Sequence, residues 1–235
     1  MKRLLIDAGN TNIKLASVEG GDWSAVRTLP VSRAGELNLA EYGPVQQVWA
    51  SNVAGDDVAR QISDACAHWP LEFIVAQAAQ CGVRNRYDRP DQLGSDRWAA
   101  LIAAWHLVGA ACLVVSSGTA TTIDALSGAG EFMGGLILPG VELMQRSLTA
   151  GTAQLGVAGG GYADFPRNTN DAIYSGAIQA SCGAIQRQHA LLDAAAPVLL
   201  SGGAAHLLSP HLKVQIVDNL VLQGLLLIAK EADRA

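Results

Sequence analysis

The sequence predicts a duplicated α/β protein, and three observations carry that expectation. Apolar runs of period two alternate with segments of helical period, so strands and helices follow one another along most of the chain. The stretch RLLIDAGNTNIKLASVEGGDW (3–23) can be laid over CLVVSSGTATTIDALSGAGEF (112–132) at an offset of 109, matching Gly9 with Gly118, Ala16 with Ala125, Gly21 with Gly130 and Trp23 with Phe132. Finally, 235 residues of which 50% are apolar and 16% charged supply the core of one large domain or two modest ones.

The elements follow in order. Strands are expected at 3–7 and 12–18, then a turn at Glu19-Gly20-Gly21 and a third strand around 23–29, which together make a meander. A short helix near 34–41, a strand at 46–51, a helix at about 55–68 and a strand at 72–76 come next, and their alternation implies parallel pairing. Asp96 begins a helix, DRWAALIAAWHLVG, that is apolar almost all round, as a helix buried between layers is. After the second meander the pattern gives helices at about 140–149 and 170–194, a strand at 197–201, a helix after Gly203, a strand at 212–217 and a last helix at 220–233. With no linker or low-complexity segment between them, the halves are 1–109 and 110–235.

Composition narrows the function. Sixteen Lys and Arg against twenty-one Asp and Glu give a net charge of −5 without a basic run, which argues against nucleic acid and for a small-molecule substrate. Cys66, Cys81, Cys112 and Cys182 form no CxxC pair and read as buried thiols of a reducing cytoplasm. The apolar run at the start is cut by Asp7, and the run 220–229 is too short to span a bilayer, so a cytoplasmic protein without membrane contact is expected.

Chemistry concentrates at the glycine turns. A strand–turn–strand such as DAGNTNIK exposes consecutive backbone N–H groups beside a glycine, where no Cβ blocks an approaching anion. Gly9, Asn10 and Thr11 form one such turn; Gly118, Thr119, Ala120 and Thr121 form another. Two facing turns would hold a polyphosphate, with Asp7 holding Mg²⁺ directly or through water; singly, each is also an ordinary hairpin. Neither GxxxxGK[ST] nor a strand–GxGxxG–helix is present.

The segments DAGNTNIKLA, LGSDRWAAL, SSGTATTID, GGLILPG, NTNDAIYSG and SGGAA occur in the order found in type III pantothenate kinases, and from residue 4 to about 204 the chain resembles that family. The resemblance implies a duplicated ribonuclease H-like, actin-like ATPase fold of two βββαβα-type halves with a nucleotide cleft between them. It implies ATP and pantothenate as substrates and a homodimer whose sites lie near the interface. Within it Asp96, in Gly94-Ser95-Asp96-Arg97, resembles a general base; on the residues alone it is also a helix N-terminal aspartate. Gly94, Ser95 and Arg97 are then substrate-binding, as is Tyr87, which otherwise reads as a loop tyrosine. Lys14 offsets phosphoryl charge, unless it is a solvated strand residue. Gly202 and Gly203 match adenosine-side glycines or make a plain turn, and Thr169 reaches pantothenate bound to the other subunit or lies at a helix cap. The small residues Ala172, Gly176, Ala180 and Gly183 would line one side of the following helix.

One position departs from the family pattern. Ser116 stands where an aspartate associated with a monovalent cation is usual, so activity independent of K⁺ or NH₄⁺ is expected. Two other functions are compatible with the scaffold: a regulatory protein like the Bvg accessory factor, or a kinase of another small hydroxylated substrate.

Overall fold

The computed structural model describes residues 1–150 and 159–234, which divide by their contacts into two units, Met1–Leu107 with Asn219–Ala235, and Val108–Asp218. In the first unit, β1 (Lys2–Ala8), β2 (Asn12–Glu19), β3 (Asp22–Trp23) and β4 (Arg27–Pro30) form the meander, and β5 (Gln47–Asn52), α1 (Asp56–Ala65) and β6 (Leu71–Phe73) follow. The sheet order is β3-β2-β1-β5-β6, with β4 also paired to β2; β1 and β2 are antiparallel, whereas β1, β5 and β6 run parallel. A central strand is covered on both faces, which is why RLLI in β1 is a continuous buried run rather than an alternating one.

Each face has its own partner. Leu4, Ile6 and Ala8 of β1, Ile13 and Leu15 of β2, and Val48 and Ala50 of β5 share a core with Val58 and Ile62 of α1. The hairpin β7 (Ala79–Gln80) and β8 (Val83–Asn85) turns through Cys81 and Gly82, both at positive φ (49° and 79°), as a two-residue hairpin turn requires. It leads to α2 (Ser95–Val108), buried nearly all round; Trp98, fully buried, donates its indole N–H to Oε1 of Gln80 at 2.9 Å.

The second unit repeats the plan. Strands β9 (Cys112–Ser117), β10 (Ala120–Leu126) and β11 (Glu131–Pro139) form an antiparallel meander; α3 (Val141–Ala150), α4 (Thr169–Leu192), β12 (Val198–Ser201), α5 (Ala205–Leu208) and β13 (Gln215–Ile216) follow. Within the unit the order β11-β10-β9-β12-β13, with β9, β12 and β13 parallel, matches that of the first. Ala177, Ile178, Cys182 and Ile185 of α4 close a core with Leu113, Val115, Ile123, Val198 and Leu200.

Several elements differ from the sequence expectation, each for a local reason. The strand expected over 23–29 splits into β3 and β4 at Ser24, whose Oγ accepts from the N–H of Ser17 (3.0 Å) and so takes a ladder donor for itself. The helix expected near 34–41 is two 3-10 turns, 31–36 and 40–42, separated where Asn38 Oδ1 accepts from the N–H of Ala40. The hairpin β7–β8 falls where no strand is expected.

The last helix, α6 (Leu220–Ala232), packs on β1 and β5 of the first unit, although its place in the sequence assigns it to the second half. Arg3 pairs with Asp233, and the N–H of Cys81 donates to Glu231 Oε1 at 2.8 Å. A Cβ on Gly224 would lie 1.9 Å from the carbonyl oxygen of Ala99, so α6 and α2 touch backbone to backbone. Gly224→Ala should therefore lower the unfolding free energy by roughly 1–3 kcal/mol or more by overpacking, measured by chemical denaturation against the parent chain.

Candidate active site

The first unit sets a polar row across its sheet. Asp7 is paired with Lys14 on β2 and with Ser51 on β5, and paired residues of neighbouring strands project to one face. Ile13 and Leu15 point into the α1-side core, so Lys14 and Asp7 face the other way. That partition explains why a buried strand pair carries a carboxylate and an ammonium. Beyond Asp7 the chain turns through Gly9, whose N–H donates to the carbonyl of Asn12 (3.0 Å), leaving Asn10 and Thr11 exposed; the carbonyl of Thr11 accepts from the N–H of Val31 (2.8 Å).

The N-terminus of α2 brings Asp96 to the same neighbourhood. Gly94 supplies the first helical acceptor, to the N–H of Trp98 (2.9 Å), and a Cβ there would meet Asp96 Oδ1 at 2.6 Å. Gly94 thus leaves the space that the Asp96 carboxylate occupies. Oδ1 accepts from the N–H of Arg97 at 2.8 Å, using a donor that a helix start leaves unpaired. Burial pushes the Asp96 carboxyl above its ordinary range, and the Arg97 N–H and guanidinium only partly offset this. Asp7 is pushed up to about 7 from 3.8, first by burial and then by the Asp96 charge, with Lys14 opposing. Asp7, with the Asp96 carboxylate near it, is the oxygen ligand here that could hold a hard cation, whose remaining ligands would be phosphate and water; among the described residues no cluster of three or more His, Cys, Asp or Glu forms a metal site by itself.

Arg97 is buried and is not a surface ion pair: its Nη1 donates to the Tyr87 hydroxyl at 3.0 Å, and its guanidinium lies 5.7 Å from the ring centroid. The half-buried Tyr87 is held by Asn85, a residue that no sequence motif marks. Asn85 is buried, accepts from the N–H of Tyr87 (3.0 Å) and donates to the carbonyl of Pro90 (3.1 Å), clamping both ends of the loop. Ser51 is equally unmarked in the sequence; it hydrogen-bonds Ser95 across 2.9 Å.

In the second unit, the N–H of Gly118 donates to the carbonyl of Ala120 (2.9 Å), a turn one residue shorter than that at Gly9. Gly202, at φ 100°, leaves no room for a side chain, because a Cβ would sit 2.2 Å from the carbonyl oxygen of Ser117. That carbonyl also accepts from the N–H of Ala204, so Gly202 and Gly203 lie against the β9–β10 turn. Thr121 is fully buried on the α4-side face, and its hydroxyl and that of Ser117 find no hydrogen-bond partner among the described residues. What the turn presents outward is therefore the backbone of Gly118, Thr119 and Ala120. Ser116 lies on the opposite face beside Thr122 and Ser201. Asp124, on that same face and 2% exposed, is a buried carboxylate that stands in none of the sequence motifs as a candidate. Thr169 is the first residue of α4, next to the cap Asn168, whose Oδ1 accepts from the N–H of Asp171 (3.0 Å).

Two units of this topology, the first with a polar row at the C-terminal end of its central strand, have the fold of the actin-like ATPase and sugar kinase class. Solved structures share the fold. A conserved protein from Campylobacter jejuni assigned to the Baf family of transcriptional activators superposes with a TM-score of 0.67 at 23% identity, covering 99% of this chain and 100% of that one. The activator of 2-hydroxyisocaproyl-CoA dehydratase from Clostridium difficile, with bound ADPNP, gives 0.56 at 12% identity, covering 100% and 95%. The family model for type III pantothenate kinase matches residues 3–190, and the chain belongs to that family. Relatives named type III pantothenate kinase include those of Aromatoleum aromaticum, 49% identical over 97% of this chain and 98% of the relative, and Nitrosospira multiformis, 47% identical over 97% and 91%.

The Asp7 environment carries a stability cost that substitution exposes. Between the ordinary carboxyl pKa of 3.8 and the folded value of about 7, the folded chain holds a proton that the unfolded chain has shed. Stability therefore falls as pH rises through that window, and the deficit is complete above it. In metal-free protein, Asp7→Asn should raise the unfolding free energy at pH 8 by a few kcal/mol at most, since each tenfold change in proton affinity is worth about 1.4 kcal/mol. The gain should vanish near pH 4, as denaturation at the two pH values will show.

Proposed function

We propose that the chain transfers the γ-phosphoryl group of ATP to pantothenate, giving 4′-phosphopantothenate, with Asp96 as the base that accepts the hydroxyl proton. The reaction is the one its family is named for. The observation that carries the residue assignment is the placement of Asp7 and Asp96: Asp7 sits in a row with Lys14 and Ser51 at the end of the central strand, and Asp96 begins the helix whose Ser95 bonds that Ser51, near enough for its charge to raise the Asp7 carboxyl. A carboxylate kept partly desolvated is a better proton acceptor near neutral pH than an exposed one.

The remaining roles follow the chemistry of phosphoryl transfer, which is chiefly positioning and charge stabilisation. Asp7 holds Mg²⁺, directly or through water, while Lys14 and the N–H groups of Asn10 and Thr11 take phosphate oxygens, with Gly9, whose N–H is held by Asn12, keeping the approach free of a side chain. Thr119 and Ala120 offer theirs to ATP in the same way, Gly118, whose N–H is held by Ala120, keeps the approach free of a side chain, Thr121 contributes through its backbone, and Gly202 and Gly203 flank the adenosine. Gly94, Ser95, Arg97 and Tyr87 form the pantothenate side, with Arg97 and Tyr87 already joined. The chain acts in the cytoplasm as a homodimer, and Thr169 reaches the pantothenate of the partner subunit. Ala172, Gly176, Ala180 and Gly183 support that reading: they share an exposed side of α4, where a Cβ on Gly176 or Gly183 would meet nothing within 4 Å. No described helix is long and apolar enough to cross a membrane.

Asp96→Asn should lower kcat by roughly 10²- to 10⁴-fold with the fold and ATP binding retained, read as ADP release with pantothenate as acceptor; turnover within a few-fold of the parent would refute the base assignment. Ser116 adds no charge, so replacing K⁺ by Na⁺ or a bulky organic cation at constant ionic strength should leave activity largely unchanged, and Ser116→Asp should introduce some dependence on K⁺. Activity that vanished without K⁺ or NH₄⁺ in the parent chain would show that other groups build a cation site.

A further inference from the structure

We propose that the hydroxyl pair Ser51–Ser95 is a positioning link, which fixes the first turn of α2, and with it the Asp96 carboxylate, to the sheet row that carries Asp7. The inference rests on the assignment of Asp96 as the base and extends it to a residue outside every motif of the family resemblance.

Ser51 is fully buried and is the residue of β5 paired with Asp7 of β1, so its hydroxyl projects on the same face of the sheet as that carboxylate. It lies 2.9 Å from the hydroxyl of Ser95, itself buried and immediately before Asp96. The strand end that holds Ser51 is itself held. The N–H of Val53 donates to the carbonyl of Ala8 (3.0 Å). Asn52 closes a tight turn, accepting from the N–H of Ala54 (3.1 Å) and donating to the carbonyl of Gly55 (3.0 Å). Val53 also approaches Gly94: its Cγ1 is 3.8 Å from the place a Cβ on that glycine would take.

The other attachments of α2 act further along the helix. Trp98 bonds Gln80, and Ala99 meets Gly224, so both restrain the helix a residue or more beyond Asp96. A side chain at the open end of a helix has freedom that such contacts do not remove, because helix ends fray. The hydroxyl pair closes that end onto β5. Asp96 then keeps its distance to Asp7 as the substrate hydroxyl loses its proton, and a small misplacement of a reacting group is costly in rate.

The test separates a positioning role from a merely structural one. Ser51→Thr and Ser51→Val have nearly the same shape and differ in the hydroxyl, so steric crowding affects both alike. Ser51→Val should lower kcat by roughly tenfold or more while the KM values for ATP and pantothenate stay within about threefold; Ser51→Thr should restore most of the loss. Ser51→Ala should give the Val-like result, and adding it to Ser95→Ala should cost no more than Ser95→Ala alone, as a shared interaction requires. Should the β-branched variants fail to fold, the alanine cycle still decides. The proposal is overturned if Ser51→Ala keeps kcat within twofold, if Ser51→Thr and Ser51→Val are equally slow, or if the two alanine losses multiply. Asp96→Asn is assayed alongside. If it is active, the base assignment has failed and the proposal with it; if it is inactive while Ser51→Ala is at full rate, only the link is refuted.

Discussion

The register of β1 between an antiparallel and a parallel neighbour is the constraint on which the first unit depends. Ala8↔Ile13 and Asp7↔Lys14 on one side, and Asp7↔Ser51 on the other, place three polar side chains in one row at the end of the sheet. A slip of a single residue would send the row into the α1-side core and the apolar set outward, because successive side chains alternate faces. The apolar cluster of Leu4, Ile6, Ile13, Leu15, Val48 and Ala50 therefore does more than stabilise the sheet. It fixes where the chemistry can be.

The charge arrangement is costly in the isolated protein and suited to its reaction. Desolvation raises both Asp7 and Asp96, and the Asp96 charge raises Asp7 further. In the roles proposed above, Asp7 would be relieved by a divalent cation bound together with phosphate, and Asp96 would be left to exchange a proton. The fold keeps this state by overdetermining its surroundings. The Gly94 gap, the Arg97 N–H and the Arg97–Tyr87 pair hold one carboxylate, and the strand ladder holds the other.

Much of this was legible in the sequence. Apolar runs located β1, β2 and β5 to within a residue or two, and the overlay of 3–23 on 112–132 marked the second meander. What escaped had no period to betray it. The strands β7 and β8 span two and three residues, too few for a pattern, and their turn is marked only by Gly82 beside a cysteine forced to positive φ. Ser51 and Asn85 are single polar residues in apolar or loop surroundings, and their meaning lies in partners 44 and five positions away, respectively. A single offset overlays the two meanders in sequence, whereas the turn at Gly118 is one residue shorter than that at Gly9, so the two units share strand order but not hairpin register.

The return of α6 to the first unit has a consequence for the order of events during synthesis. Residues 108–218 are contiguous, so every residue of their core has been translated before 219–235 are made. The first unit, made earlier, must wait: the face of β1 and β5 that α6 covers, and the backbone of α2 that meets Gly224, stay open until 220–232 have been translated. The part of the chain synthesised first is thus the last to be completed. During that interval it presents an apolar surface of the kind that chaperones bind.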